Sequence, residues 1–301
     1  MLHLALSYPC GIRNDHNLSK QMKIFNSIAE TQIYLKEQQK IGKTIGFVPT
    51  MGALHAGHIS LIEASKQENN LTVCSIFVNP TQFNNPEDLK KYPRTLEKDS
   101  EMLQSVDCDV VFAPSAEEMY PSLPQMKFDF GSLETVMEGK FRPGHFNGVG
   151  IVVSKLFHIV KPDRAYFGLK DLQQVAVIRR MVSDLSFDLE IIPCATLREA
   201  DGLAMSSRNM RLSAEARALA PNIYKALQFA KDKLQGGASA KETQNAVASF
   251  FSTIPAIEPE YFEIADFDTL EPIAEARTQG KTAVCIAAFL GGVRLIDNMV
   301  F

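Results

Sequence analysis

Thr44-Ile45-Gly46-Phe47-Val48-Pro49 runs directly into Thr50-Met51-Gly52-Ala53-Leu54-His55-Ala56-Gly57-His58. The first six residues, with Ile, Phe and Val, read as a buried strand. Ile59–Glu68 has the length and composition of a helix, and Thr72–Asn79 reads as a second buried strand. The loop between strand and helix therefore opens a helix start. A helix start offers unpaired backbone N–H groups and the positive end of the helix dipole, which suit phosphate. Gly52 and Gly57 allow the backbone to bend and approach a ligand. His55 and His58 are three residues apart, so both rings can face one ligand and stabilise charge on a leaving pyrophosphate. Taken alone, the pair also reads as two surface loop histidines, or as part of a zinc site with no third ligand evident nearby.

Working outward, the alternation continues. Asp109–Ala113, Arg164–Phe167 and Leu189–Ile192 read as strands, and Thr95–Val106 and Asp171–Leu185 as helices. In the latter, Leu172, Val175, Ile178 and Val182 fall at helical spacing. Strand–helix alternation predicts a mostly parallel sheet with crossover helices, and right-handed crossovers make it Rossmann-like. The texture changes after Thr196. Ser213–Leu234 reads as one helix with a Ser cap, and Ser239–Phe251 as another. Tyr261–Ala265, Ala283–Phe289 and Val293–Ile296 read as strands, the last two joined in a hairpin through Gly291-Gly292. The expected organisation is a loosely ordered extension over 1–21 with Met22 as the functional start. A Rossmann-like domain over 22–196 and a small α+β domain over 197–301 follow.

Composition narrows the function classes. The 301 residues are 46% hydrophobic and 22% charged, with a formal net charge of −4. That balance suits a globular protein with a real core and argues against a general nucleic-acid surface. No run reaches the roughly 20 apolar residues of a membrane span, and residues 1–21 lack a clear secretory signal. The five cysteines are widely spaced, without a C-x-x-C pair. This points to a reducing cytosol rather than a disulfide framework.

Other segments carry candidate chemistry. Asn79 and Gln82 end the second buried strand, where open α/β sheets collect ligands. Their amides offer donors and acceptors without charge. Lys170 lies between a strand and a helix and can meet phosphates as a compact cation, while Asp171 is placed to cap that helix. Gly202 lends flexibility ahead of Met205-Ser206-Ser207-Arg208. Arg142 and His145 lie in a loop from which they can approach anions, or which is purely structural. Asp99, one turn after Thr95, is a candidate magnesium contact, direct or through water, or simply a solvent-facing helix residue.

The Pro49–His58 string resembles the H-x-G-H motif of the nucleotidylyltransferase superfamily, and the pantothenate synthetases within it. Phe77-Val78-Asn79-Pro80-Thr81-Gln82-Phe83, Tyr92-Pro93-Arg94-Thr95, Gly168-Leu169-Lys170-Asp171-Leu172-Gln173-Gln174 and Met205-Ser206-Ser207-Arg208-Asn209 resemble the same family. The likeness runs from about Met22 to Ile296-Asp297-Asn298. It implies ATP-dependent joining of pantoate to β-alanine through a pantoyl adenylate, with Mg2+, in a cytoplasmic homodimer. It also implies ATP contacts from Met51, Gly52, Ala53, Leu54, His55, Ala56, Gly57 and His58, from Gly168, Leu169, Lys170 and Asp171, and from Leu197, Met205, Ser206, Ser207 and Arg208. The catalytic set is His55, His58, Lys170, Ser206 and Arg208, with His58 given a proton-donor role. Gln82 and Gln174 would hold pantoate, with Gln82 near β-alanine and Asn79 shaping the pocket. Met205–Arg208 resembles the mobile K-M-S-K-S-like signature. Leu169 departs from the polar residue usual there, which removes any side-chain carboxylate role. The rival readings are a nucleotidyltransferase of the same superfamily acting on another small acid or phosphate, and a non-catalytic nucleotide-binding module.

Overall fold

The computed structural model describes residues 21–83, 86–277 and 280–301. Apart from Gln21, the extension expected over 1–21 lies outside them. Six strands form one parallel sheet: β1 (Lys23–Phe25), β2 (Ile45–Thr50), β3 (Leu71–Ile76), β4 (Val110–Phe112), β5 (Arg164–Gly168) and β6 (Glu190–Cys194), in the order β1-β4-β3-β2-β5-β6. Successive strand residues point to opposite faces, and both faces are covered. Phe47, Val73, Phe112 and Phe167 enter one apolar cluster with the helix His145–Val160. Val48, Cys74, Val111 and Tyr166 enter another, beneath the helices Ala56–Glu68 and Leu96–Ser105. Chain order reverses between β2 and β5, so a crevice opens there at the carboxyl ends of the strands, where doubly wound sheets bind ligands.

A second sheet is antiparallel: β7 (Ile257–Asp266), β8 (Thr282–Leu290) and β9 (Val293–Val300), with the expected hairpin at Gly291-Gly292. Both glycines have positive φ, as a two-residue turn matching strand twist requires. The helices Asn222–Gln235 and Ala240–Ser252 pack on this sheet through Leu227, Val247, Ile264 and Ile286. Ala283 and Cys285 of β8 instead meet Met137 and Leu172, which joins the second unit to the first. No helix among the described residues is long and apolar enough to cross a membrane.

Three differences from the sequence reading stand out. The single helix expected over Ser213–Leu234 is two, Ala214–Leu219 and Asn222–Gln235, with Pro221 between them. Proline has no N–H to continue a helical ladder. The helices Ile28–Lys40 and His145–Val160 were not read as helices at all.

Candidate active site

The loop after β2 is held by a carboxylate from a different helix. Asp99 is 1% exposed. Its Oδ2 accepts the Ala53 N–H at 2.9 Å and its Oδ1 the Leu54 N–H at 2.8 Å, while the Thr95 hydroxyl donates to Oδ2 at 3.2 Å. Gly52 and Ala53 have φ of 81° and 50°, a turn this pair of bonds stabilises. The expectation of a magnesium contact at Asp99 is corrected: the carboxylate is buried and both oxygens bind the loop backbone.

The helix start is also satisfied internally. The Gly57 N–H donates to His55 Nδ1 at 3.1 Å, and the His55 N–H donates to His58 Nδ1 at 3.3 Å. This is a reciprocal cap made by two histidines. The free backbone donors expected at Ala53, Leu54, His55 and Gly57 are therefore already paired. The two histidine side chains still offer a ligand the other nitrogen of each ring. With each Nδ1 accepting, the proton of each neutral imidazole sits on Nε2. Burial, with the Lys170 cation nearby, pulls His55 down to about 4. Burial, then His55 and Lys170, pull His58 down to about 3. Both rings are neutral Nε2–H donors at physiological pH, with centroids 4.1 Å apart.

The cleft between β2 and β5 gathers most of the expected residues. Met51, His55, Gly57, His58, Asn79, Gln82, Gly168, Lys170, Asp171, Gln174, Leu197, Met205, Ser206, Ser207 and Arg208 all line it, together with Tyr92. Gly52, Ala53, Leu54, Ala56 and Leu169 do not; the first three lie beneath the loop surface, and Ala56 is exposed beside it. Leu169 packs toward the second sheet, in the apolar cluster of Leu172, Leu270 and Ala283. Lys170 sits in the turn Leu169–Asp171, its ammonium 3.5 Å from Asp171 Oδ1. Asp171 makes no side-chain cap to the helix Leu172–Asp184, contrary to expectation. The Ser206 hydroxyl accepts the Arg208 N–H at 3.3 Å and starts the turn Ser207–Arg211.

The amide end of the cleft is ordered by Asn79. Its Nδ2 donates to Gln82 Oε1 at 3.0 Å and to the Gly148 carbonyl at 3.2 Å. Its Oδ1 accepts from the Thr81 hydroxyl at 3.0 Å and the Tyr120 hydroxyl at 2.9 Å. With its amide so engaged, Asn79 orients Gln82, and Gln82 keeps Nε2 toward Met51 Sδ at 2.9 Å and the cleft. Gly148 permits this closeness, since a Cβ there would lie 2.3 Å from the Thr81 carbonyl oxygen. His145 and Arg142 do not line this cleft. His145 is buried, Nδ1 donating to the Gln82 carbonyl at 2.9 Å, and burial with the Arg142 charge pulls it down to about 4. Arg142 pairs with Glu138 at 3.4 Å. The contacts of both side chains in this structure are with the pocket wall, as the structural alternative for that loop has it.

The sequence reading missed the polar ties from the second sheet. Arg294 on β9 donates through Nη1 and Nη2 to the two Glu138 oxygens, at 2.9 and 2.7 Å, and through Nε to Glu260 at 3.0 Å. The Tyr261 hydroxyl donates to Glu138 at 3.0 Å. Asn298 donates to the carbonyls of Leu169 and Lys170, and Arg198 pairs with Asp297.

Comparison with known proteins places this site. The pantoate-β-alanine ligase family model matches residues 23–300. The chain belongs to that family. It is 54% identical to a pantothenate synthetase of Cytophaga hutchinsonii over 275 residues, covering 91% of this chain and 97% of that one. It is 50% identical to one of Bacteroides fragilis over 280 residues, covering 93% and 99%. Among crystal structures, a pantothenate synthetase of Thermus thermophilus superposes with a TM-score of 0.87 at 42% identity, covering 93% and 99% of the two chains. A pantoate-β-alanine ligase of Francisella tularensis, complexed with "Beta-gamma ATP" and β-alanine, gives 0.77 at 37% identity over 93% and 98%. The chain is a ligase that joins pantoate to β-alanine at the expense of ATP. The nucleotidyltransferase and binding-module readings are set aside by these matches.

Proposed function

We propose that this ligase works through a pantoyl adenylate. The pantoate carboxylate attacks the α-phosphorus of ATP, forming an acyl–phosphate anhydride and releasing pyrophosphate. The β-alanine amine then attacks the acyl carbon, loses a proton and expels AMP. The observation that carries this reading is one cleft in which cations and N–H donors for phosphate face amides for pantoate. His55, His58, Lys170, Ser206 and Arg208 form the phosphate side, with the backbone of Gly168–Asp171 and Leu197 beside them. Gln82 and Gln174 form the pantoate side. His58, neutral and partly buried, serves as a hydrogen-bond donor to charge building on the leaving pyrophosphate rather than as an acid. Alignment of carboxylate and phosphorus accounts for the remainder of the rate.

Mg2+ enters this scheme as part of the co-substrate. Among the described residues no cluster of three or more His, Cys, Asp or Glu could cage a metal. A cation carried by phosphate oxygens and water fits that donor set, because Mg2+ on nucleotides needs few protein ligands. The boundary at 196/197 belongs to the same reading, supported by the change of sheet and of apolar cluster. So does a cytoplasmic homodimer. Leu123 and Met126, 84% and 66% exposed and three residues apart, are candidate contacts for a second copy. Sedimentation should give the mass of two chains, and a monomer at micromolar concentration would remove the dimer from the reading.

The adenylate route is tested by separating its halves. Labelled pyrophosphate should exchange into ATP with pantoate and Mg2+ present and β-alanine absent. Oxygen-18 from the pantoate carboxylate should appear in AMP after full turnover. Release of ADP, with the label in inorganic phosphate, would overturn the route.

A further inference from the structure

The phosphate side of the cleft is fastened from the opposite sheet. Asn298 on β9 is 6% exposed. Its Nδ2 donates to two successive carbonyls, Leu169 O and Lys170 O, both at 2.8 Å. These belong to the turn Leu169–Asp171 that carries the Lys170 ammonium. The Asn298 amide thus ties the main chain of this turn directly to the second sheet.

Asn298 is fixed in turn. Its N–H donates to Asp297 Oδ1 at 2.8 Å. Asp297, 4% exposed, accepts from Arg198 at 2.6 Å on Oδ2 and 3.0 Å on Oδ1. The same guanidinium donates to the Asn298 carbonyl at 3.1 Å and the Gly202 carbonyl at 3.1 Å, and lies 4.0 Å from the centre of the Tyr224 ring. Gly202 lies in the short hairpin where Arg198 bridges Ala204 and the Met205 N–H donates to the Leu197 carbonyl at 3.0 Å. That hairpin leads directly into Ser206 and Arg208. One group of three side chains, Asp297 and Asn298 buried and Arg198 partly so, therefore touches both the turn that carries Lys170 and the hairpin that leads into Ser206.

We propose that Asn298 is a positioning residue for Lys170, and that Asp297 and Arg198 set it in register with the Ser206–Arg208 segment. The proposal rests on the reading of Lys170 as a phosphate contact. Asn298 touches no reacting atom; it acts through the backbone that aims the lysine. Displacement of a contact by about 1 Å can lower a rate as much as 10²-fold, so Asn298→Ala should reduce pyrophosphate exchange about ten- to a hundredfold. Asn298→Asp, which keeps the volume but presents an oxygen to the two carbonyl oxygens, should lose at least as much.

The experiment is a double-mutant cycle with Lys170→Ala, read by pyrophosphate exchange, with urea midpoints measured on all four chains. Lys170→Ala should lower the rate, and adding Asn298→Ala to it should lower the rate less than twofold further. That non-additivity marks an effect transmitted through the lysine. A merely structural role would instead lower the rate by the same factor in both backgrounds, and that result overturns the proposal. Full exchange activity in Asn298→Ala or Asn298→Asp, while Lys170→Ala is impaired, overturns it too and leaves the phosphate reading intact. Full activity in Lys170→Ala removes that reading itself.

Discussion

Replacing His58 by alanine should slow pyrophosphate exchange about 10²–10³-fold, the usual loss when one donor to developing charge is removed. His55→Ala should fall in the same range. The reason is the state of the rings. Each is neutral, with Nδ1 accepting a backbone N–H and the proton left on Nε2. Alanine at 58 also exposes the His55 N–H that the ring had capped, which costs about 1 kcal/mol. His58→Gln separates the two effects, because glutamine at the third helical position makes the same reciprocal cap. The glutamine chain should regain the parent melting temperature while its exchange rate stays at least tenfold low. If His58→Ala and His55→Ala both exchange within threefold of the parent, the assignment of these rings to the leaving group is wrong.

The second large effect is on stability. Arg294→Met should lower the unfolding free energy by about 3–5 kcal/mol, as is found when one partner of a buried ion pair is removed. Glu138 is 8% exposed and its two oxygens receive Arg294 in parallel. Burial pushes the Glu138 carboxyl up, but the Arg294 hydrogen bonds and charge, with Arg142 and Tyr261, outweigh it and hold it at about 2. A carboxyl depressed in the fold adds stability above its unfolded value of about 4.5 and loses it as pH falls through about 2. The gap between Arg294→Met and the parent should therefore narrow as pH falls from about 4.5 toward 2. Adding Glu138→Gln to Arg294→Met should recover part of the loss, since the buried Glu138 charge is then removed, while Glu260 and Arg142 still lack their partners. Urea unfolding across that pH range reads all three results, and a loss below about 1 kcal/mol at pH 7 would show that the pair contributes little.

Much of the architecture was legible because its signal is local. Thr44–His58 shows an apolar run, a turn and a helix start in consecutive residues, and the observed elements, β2 and the helix Ala56–Glu68, fall where that reading puts them. The helix His145–Val160 was not legible for the opposite reason. It is buried almost all round, so its apolar residues spread well beyond one stripe and the polar face is narrow. Ile28–Lys40 fails in the other direction: with only Thr31 and Leu35 buried, it offers hardly any stripe to detect. Among site residues, His55, His58, Gln82 and Lys170 lie in strings dense enough to be read. Asp99 was visible as a carboxylate, but its partners Ala53 and Leu54 lie on another element. Nothing in a single chain's spacing links Asn298 to Leu169 and Lys170, more than a hundred residues earlier.

The Asn79–Gln82 turn is held by main chain as well as by the side chains of Tyr120 and His145. Asn79 bonds the carbonyl of Gly148, and a side chain at 148 would strike the Thr81 carbonyl. Side chains exchange rotamers in picoseconds to nanoseconds, whereas a helix buried on nearly all sides shifts only with the collective motions of microseconds and longer. The reference against which Gln82 is aimed therefore holds still on the picosecond-to-nanosecond scale of side-chain motion. The fast motion of the pocket is confined to its lining, and its outline is renewed only when the whole layer moves.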